Sequence, residues 1–150
     1  VKDVSHKFGC LSVMGPNARI LIQSLSNVDI SIVSIPFGFS KKARIKNIEC
    51  RLNRLTYVGE QGFEIYVPID QLVDLFNSVY ENKSQLKPKL AGYHALNSLR
   101  MEKGYLHWGH DITSENNPFE SGLSFAVNFS KNNSRIADCL LHYRYCCIFL

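Results

Sequence analysis

The 150-residue sequence predicts an α+β fold, with mixed or antiparallel sheets and flanking helices. Three observations carry that expectation. Phe63, Ile65 and Val67 alternate with Glu64 and Tyr66, which is the two-faced pattern of a strand. Apolar residues recur at helical spacing near 18–25, 72–80 and 95–99. The strand-like segments come in adjacent pairs rather than in regular turn with the helices, which argues against a repeating strand–helix–strand unit. No internal repeat is visible.

The elements follow in order. Phe8 to Val13 is apolar with small residues and predicts a buried strand. Gly15-Pro16 ends it; Pro suits a first helical position because its missing N–H has no partner to lose there. Ala18, Leu21, Ile22 and Leu25 predict a helix over roughly 16–25. Ile35-Pro36-Phe37-Gly38 is a loop. Ala43, Ile45 and Ile48 alternate with Lys42, Arg44 and Lys46 as a strand, and Cys50 and Leu52 continue into a second that ends at Tyr57-Val58. Gly59-Glu60-Gln61-Gly62 turns the chain into the strand 63–67, which Pro68 closes. Asp70 is the expected N-cap of a helix bearing Leu72, Val73, Phe76, Val79 and Tyr80. A helix over 92–103 should turn Ala95, Leu96 and Leu99 inward, with Gly104 after its end. Asn116-Asn117-Pro118 is a turn, and Leu123, Phe125 and Val127 alternate as a last strand.

Composition excludes several classes. The chain is 45% hydrophobic and 20% charged, enough apolar matter for a core and unlike a disordered, collagen-like or coiled-coil sequence. A net charge of +4, from 17 basic and 13 acidic residues, is too weak and mixed for a nucleic-acid footprint. No apolar run approaches the about 20 residues of a membrane helix. No signal or transit peptide opens the sequence, so an organelle address would lie upstream. The five cysteines form no Cys-x-x-Cys pair, which removes zinc-ribbon and thioredoxin motifs. Cys10 and Cys50 in strand-like surroundings, and Cys139, Cys146 and Cys147 near the end, are expected as reduced thiols. The Asn-x-Ser triplets at Asn82, Asn128 and Asn132 are read as chance matches. Beyond Lys131 the pattern loses its period, and 132–150 reads as an atypical tail, truncated or non-homologous.

Candidate chemistry is sparse. Gly59 and Gly62 lack the Gly-x-Gly-x-x-Gly spacing of a dinucleotide site, and no helix follows them. They read equally as a simple hairpin turn. Glu64 is the unusual residue, a carboxylate inside an otherwise apolar strand. On a solvated face it is an ordinary outward residue. In a cleft its two oxygens can accept parallel N–H bonds from a ring such as a pterin or purine. His107-Trp108-Gly109-His110-Asp111 has the residue types of a metal site, but its spacing suits neither a helix face nor a tetrahedral pair. It is expected to be a structural loop with Trp108 packed, its histidines bonded to backbone, and no metal. Arg100-Met101-Glu102-Lys103 reads as the solvated side and end of a helix. No Ser/His/Asp or Cys/His arrangement can be assembled.

Three segments together resemble the folate-binding aminomethyltransferase family, which includes the glycine cleavage T-protein and the C-terminal half of sarcosine and dimethylglycine dehydrogenases. The first runs from Leu11 to Arg19 through Gly15-Pro16. The second, Tyr57-Val58-Gly59-Glu60-Gln61-Gly62-Phe63-Glu64, is similar to the family's Tyr-(Thr or Val)-Gly-Glu-x-Gly-x-Glu motif. The third joins Ala91-Gly92-Tyr93, Ser98 to Tyr105, His107 to Asp111, and Pro118 to Leu123. The likeness covers roughly Asp3 to Phe129, so 1–131 is expected to be a partial domain of this kind. Val58, Glu102-Lys103-Gly104-Tyr105 and His107-Trp108-Gly109-His110-Asp111 look like the sarcosine/dimethylglycine dehydrogenase branch. T-proteins more often carry Thr at Val58, Glu-Ala-Gly at 102–104, and Arg where Leu96 stands.

The resemblance implies that Tyr57 and Glu64 contact tetrahydrofolate, Glu64 through paired hydrogen bonds to the pterin. It implies no catalytic residue in this chain, because the family's catalytic Asp falls upstream of Asp3. It implies a parent whose upstream flavin domain uses FAD to oxidise an N-methyl amine in the mitochondrial matrix, with the one-carbon unit captured on tetrahydrofolate. The β domain that closes the family's folate cleft would lie outside this chain, so the fragment alone is expected to be inactive. Two alternatives share the architecture: a non-catalytic relative such as the regulatory subunit of pyruvate dehydrogenase phosphatase, and a T-protein-like aminomethyltransferase.

Overall fold

The computed structural model describes residues 3–82 and 86–127. The chain divides into two compact units, Val1–Tyr105 and Leu106–Leu150. The first contains β1 (Phe8–Met14), α1 (Ala18–Leu25), β2 (Ser40–Ile45), β3 (Ile48–Asn53), β4 (Gly62–Pro68), α2 (Leu72–Tyr80) and α3 (Tyr93–Glu102). The strands form one sheet in the order β1-β4-β3-β2, antiparallel at every pair. The architecture is α+β, as the sequence predicts.

Strand periodicity decides what the sheet buries. Phe63, Ile65 and Val67 of β4 are buried, while Glu64 and Tyr66 between them take the other face. β3 buries Cys50 and Leu52 by the same alternation, and β2 buries Ile45. α1 buries Ala18, Leu21 and Ile22, and α2 buries Leu75 and Val79. Leu21, Ile22, Ile65 and Leu75 belong to one continuous core with Ile30 and Ile35 from the long α1–β2 connection. Removing apolar surface from water on this scale is what fixes the strand register, because a one-residue slip would turn Ile65 outward and Glu64 inward.

Several local expectations are corrected. The second strand of the hairpin stops at Asn53, so Tyr57 and Val58 lie in an irregular connection before β4. Asp70 falls within a 3₁₀ turn, Ile69–Gln71, and Gln71 precedes α2. On α2 the buried positions are Leu75 and the expected Val79, whereas Val73 and Tyr80 are exposed. On α3 Ala95 and Leu99 are exposed and the buried side chain is Arg100, at 2% exposure. Gly104 does follow α3 in the left-handed region, with φ of 72°. Its N–H donates to the Met101 carbonyl at 3.0 Å and the Tyr105 N–H to the Arg100 carbonyl at 3.0 Å, the paired bonds of a Schellman cap.

The second unit is described over Leu106–Val127. A short bridge joins Trp108 and Ile112, and the Asp111 carboxylate accepts the His107 N–H at 2.8 Å. Asn117 Oδ1 accepts the N–H groups of Phe119 and Glu120 at 2.9 and 3.0 Å, which forms the expected turn at Pro118. The predicted strand at Leu123, Phe125 and Val127 is instead a 3₁₀ turn, Ser124–Ala126, with Phe125 exposed. Among the described residues no strand pairs with this segment, and alternation alone does not make a strand. Cys139, Cys146, Cys147 and the 132–150 tail lie outside the described residues.

Candidate functional site

β1 is an edge strand, and a cavity of about 930 Å³ wraps around its free edge. Leu11, Ser12, Val13 and Met14 all line it, although successive side chains point to opposite faces of the sheet. Only a space that reaches around the edge can touch both sets. α1 and α2 contribute Leu21, Phe76 and Val79, the 86–92 segment contributes Lys87 and Lys89, and α3 contributes Tyr93 and Leu96. The volume and the mostly apolar walls match those of small-molecule sites, which run to about 300–1,000 Å³.

Tyr57 and Glu64 both line this cavity. They arrive by different routes. Glu64 is the middle of β4, opposite Ser12 on β1 and Asn53 on β3. Tyr57 belongs to the 54–61 connection, in which two N–H groups meet side-chain acceptors. The Tyr57 N–H donates to Met14 Sδ at 3.4 Å, and the Val58 N–H to Thr56 Oγ1 at 3.3 Å. The Gly15 N–H donates to the Gln61 carbonyl at 2.7 Å, which ties the connection to the exit of β1.

The carboxylate of Glu64 is half engaged. Tyr66 donates its hydroxyl to Glu64 Oε2 at 3.0 Å, and Oε1 accepts no hydrogen bond among the described residues. That bond, followed by burial, pushes the Tyr66 phenol up to about 12, because a phenolate beside a carboxylate is unfavourable. The Cys10 thiol, across from Tyr66 on β1, is pushed up first by burial and then by the Glu64 charge. The wall therefore offers a fixed anion with one open oxygen, suited to a ligand edge that carries N–H donors.

The end of α3 stands behind Tyr57. The Tyr57 and Tyr105 rings stack at 6.3 Å between centroids, 7° from parallel. Lys103 Nζ lies 3.8 Å from Glu60 Oε1. Of these residues the sequence pattern places only Lys103 at a solvated helix end; the Gly104 cap signal alone hints that the chain reverses there and brings Tyr105 back. Ser12, Phe76 and Tyr93 also line the cavity, and the sequence pattern gives none of them a binding role.

A second concavity of about 770 Å³ is touched by Phe8, Arg44, Arg51 and Tyr66, the last on the same sheet face as Glu64. Its guanidinium groups are already engaged, Arg44 with Glu49 at 3.0 Å and Arg51 with Ser40 Oγ at 2.9 Å. In the second unit the His107 and His110 rings stack, and His110 Nδ1 lies 3.0 Å from Asp111 Oδ1. Trp108 is exposed rather than packed, and His110 meets a carboxylate rather than backbone. Among the described residues no group of three His, Cys, Asp or Glu side chains could hold a metal ion. No described helix is long and apolar enough to cross a membrane.

Comparison with known proteins adds the family context. The model of the GCVT N-terminal domain matches residues 1–131. An aminomethyltransferase of Caldanaerobacter subterraneus subsp. tengcongensis is 36% identical over 141 residues, 94% of this chain and 37% of that protein. The mitochondrial sarcosine dehydrogenase of Homo sapiens is 35% identical over 123 residues, 82% of this chain and 13% of that protein. The mitochondrial dimethylglycine dehydrogenase of Homo sapiens is 31% identical over 131 residues, 87% of this chain and 15% of that protein. The chain thus spans little more than a third of the first relative and a small part of the other two.

Proposed function

The chain belongs to the family of the GCVT N-terminal domain, and from that premise we propose that it is part of the tetrahydrofolate-binding domain of an FAD-dependent N-methyl amine dehydrogenase acting on sarcosine or dimethylglycine. The parent would work in the mitochondrial matrix, with its flavin domain upstream. The observation that carries this reading is the pairing of Tyr57 with a half-free Glu64 carboxylate on one cavity.

The residues present fit a folate. Glu64 would hold the pterin through Oε1, and Tyr57 would lie against it. The apolar walls from β1 and α2 would exclude water and so strengthen that charge-assisted bond. Bound tetrahydrofolate supplies a nitrogen that takes up the one-carbon unit released by amine oxidation. This chain's residues bind and orient it; none of them is assigned a proton-transfer step.

The test is calorimetric titration of tetrahydrofolate into the full-length parent protein and three variants of it. Glu64→Ala should weaken binding by about 1.5–3 kcal/mol, the size of a lost hydrogen bond to a charged group. That corresponds to roughly ten- to a hundredfold in affinity. Glu64→Gln should also weaken it, since the amide keeps one acceptor oxygen and turns a donor toward the ring's N–H groups. Glu81→Ala, an exposed control, should do little. Equal affinities would remove Glu64 from the site. No binding by the wild-type parent would overturn the folate reading in favour of a non-catalytic regulatory relative. A T-protein-like aminomethyltransferase is the second reading, favoured by the relative that aligns with 94% of the chain. Flavin absent from the purified parent would select it.

A further inference from the structure

The geometry points to Tyr105 as a positioning residue, which sets Tyr57 on the cavity wall without touching the ligand itself. Tyr57 lines the cavity and Tyr105 does not. The two rings are nearly parallel at 6.3 Å between centroids, so Tyr105 packs beside Tyr57 without belonging to the cavity lining. Tyr57 needs such support because it sits outside any strand, in a connection with no regular backbone ladder.

Tyr105 is itself held on three counts. The Schellman cap fixes the backbone direction after Gly104, through the Tyr105 N–H bond to the Arg100 carbonyl at 3.0 Å. Buried Arg100 donates from Nη1 to the Tyr105 carbonyl at 2.8 Å, while its Nε donates to Asn97 Oδ1 at 2.9 Å. One residue before the cap glycine, the Lys103 stem lies against Gly59, where a Cβ would collide with it. Its ammonium reaches Glu60 at 3.8 Å. The 57–60 connection is therefore joined to the end of α3 at positions 57, 59 and 60.

The ligand named in this proposal rests on the folate reading above, so the test has an arm that needs no ligand. Amide hydrogen exchange and tetrahydrofolate titration are measured on the full-length parent protein as wild type, Tyr105→Ala and Tyr105→Phe. An aromatic contact of this kind translates to roughly two- to tenfold in an equilibrium. Tyr105→Ala should speed exchange of the 57–61 amides by about that factor while β4 and residues 96–100 keep their rates, and should weaken tetrahydrofolate by a similar factor. Tyr105→Phe, which keeps the ring, should restore both. Unchanged exchange at 57–61, or failure of Phe to rescue, overturns the positioning role. Altered exchange with unaltered affinity overturns its link to binding. If the wild type binds no folate, the exchange arm still decides whether Tyr105 positions Tyr57, and only the folate reading falls.

Discussion

The two faces of β4 are built from neighbouring residues and answer to different physics. Phe63, Ile65 and Val67 are at most 1% exposed and sit in a core shared with α1 and α2. Glu64 and Tyr66, one residue away in each case, are bonded to each other and face a ligand-sized space or the open sheet. The first face is bought with apolar area, and its residues matter through volume. The second contributes little area, and its residues matter through charge and donor geometry. Substitutions on the inner face should therefore change stability, and those on the outer face should change titration and binding.

The largest expected effect breaks the inner face. Ile65→Ala leaves a cavity at the centre of the core and should destabilise by about 2–5 kcal/mol, read as a lower urea midpoint at unchanged slope. A loss under about 1 kcal/mol would mean that the core collapses around the gap. The next effect falls on the connection that delivers Tyr57. Gly59 has φ of 72°, and an added Cβ would meet the Lys103 stem. Gly59→Ala should cost roughly 1–2 kcal/mol for the left-handed backbone alone, and should release the 57–61 amides to faster exchange.

The smallest effect on stability belongs to Glu64, and it sharpens the contrast most. Glu64→Ala should leave the unfolding free energy within about 0.5 kcal/mol at neutral pH. It should nevertheless bring the Tyr66 phenol down from about 12 toward its ordinary 10.0, seen as an earlier tyrosinate absorbance step. The wild-type pH dependence follows from the same group. The folded chain keeps the Tyr66 proton to higher pH than the unfolded chain does. Its contribution to stability is complete below about pH 10 and fades as the pH rises through about 12. In Glu64→Ala that alkaline loss should shrink.

The inner face was legible in the sequence because strand alternation is a period of two and β4 follows it without a break. The Glu64 placement followed from the same pattern. Tyr57 was harder. Leu55, Tyr57 and Val58 look like a continuing strand, and only pairing in space shows that the ladder stops at Asn53. α3 was misread for a different reason. Hydropathy turns Leu99 inward and Arg100 outward, yet Arg100 is buried, with Asn97 and the Tyr105 carbonyl among the partners that accept its N–H groups. Hydrogen-bond partners that depend on a reversed chain leave no periodic trace. The alternation at Leu123, Phe125 and Val127 shows the opposite failure, a strand pattern with no neighbour to make it a strand.

The sheet order has one more consequence. β2 and β1 are its two borders, and an unpaired border can recruit another chain into the sheet. β2 carries Lys41, Lys42 and Arg44, and like charge keeps a second copy away. β1, with the sequence Phe-Gly-Cys-Leu-Ser-Val-Met, carries no charge at all. Its guard is the wall of the cavity, the 86–92 segment together with α3. Whatever fills that cavity also seals the uncharged border, so a bound small molecule would act against self-association at the place where the strand lacks a charge of its own.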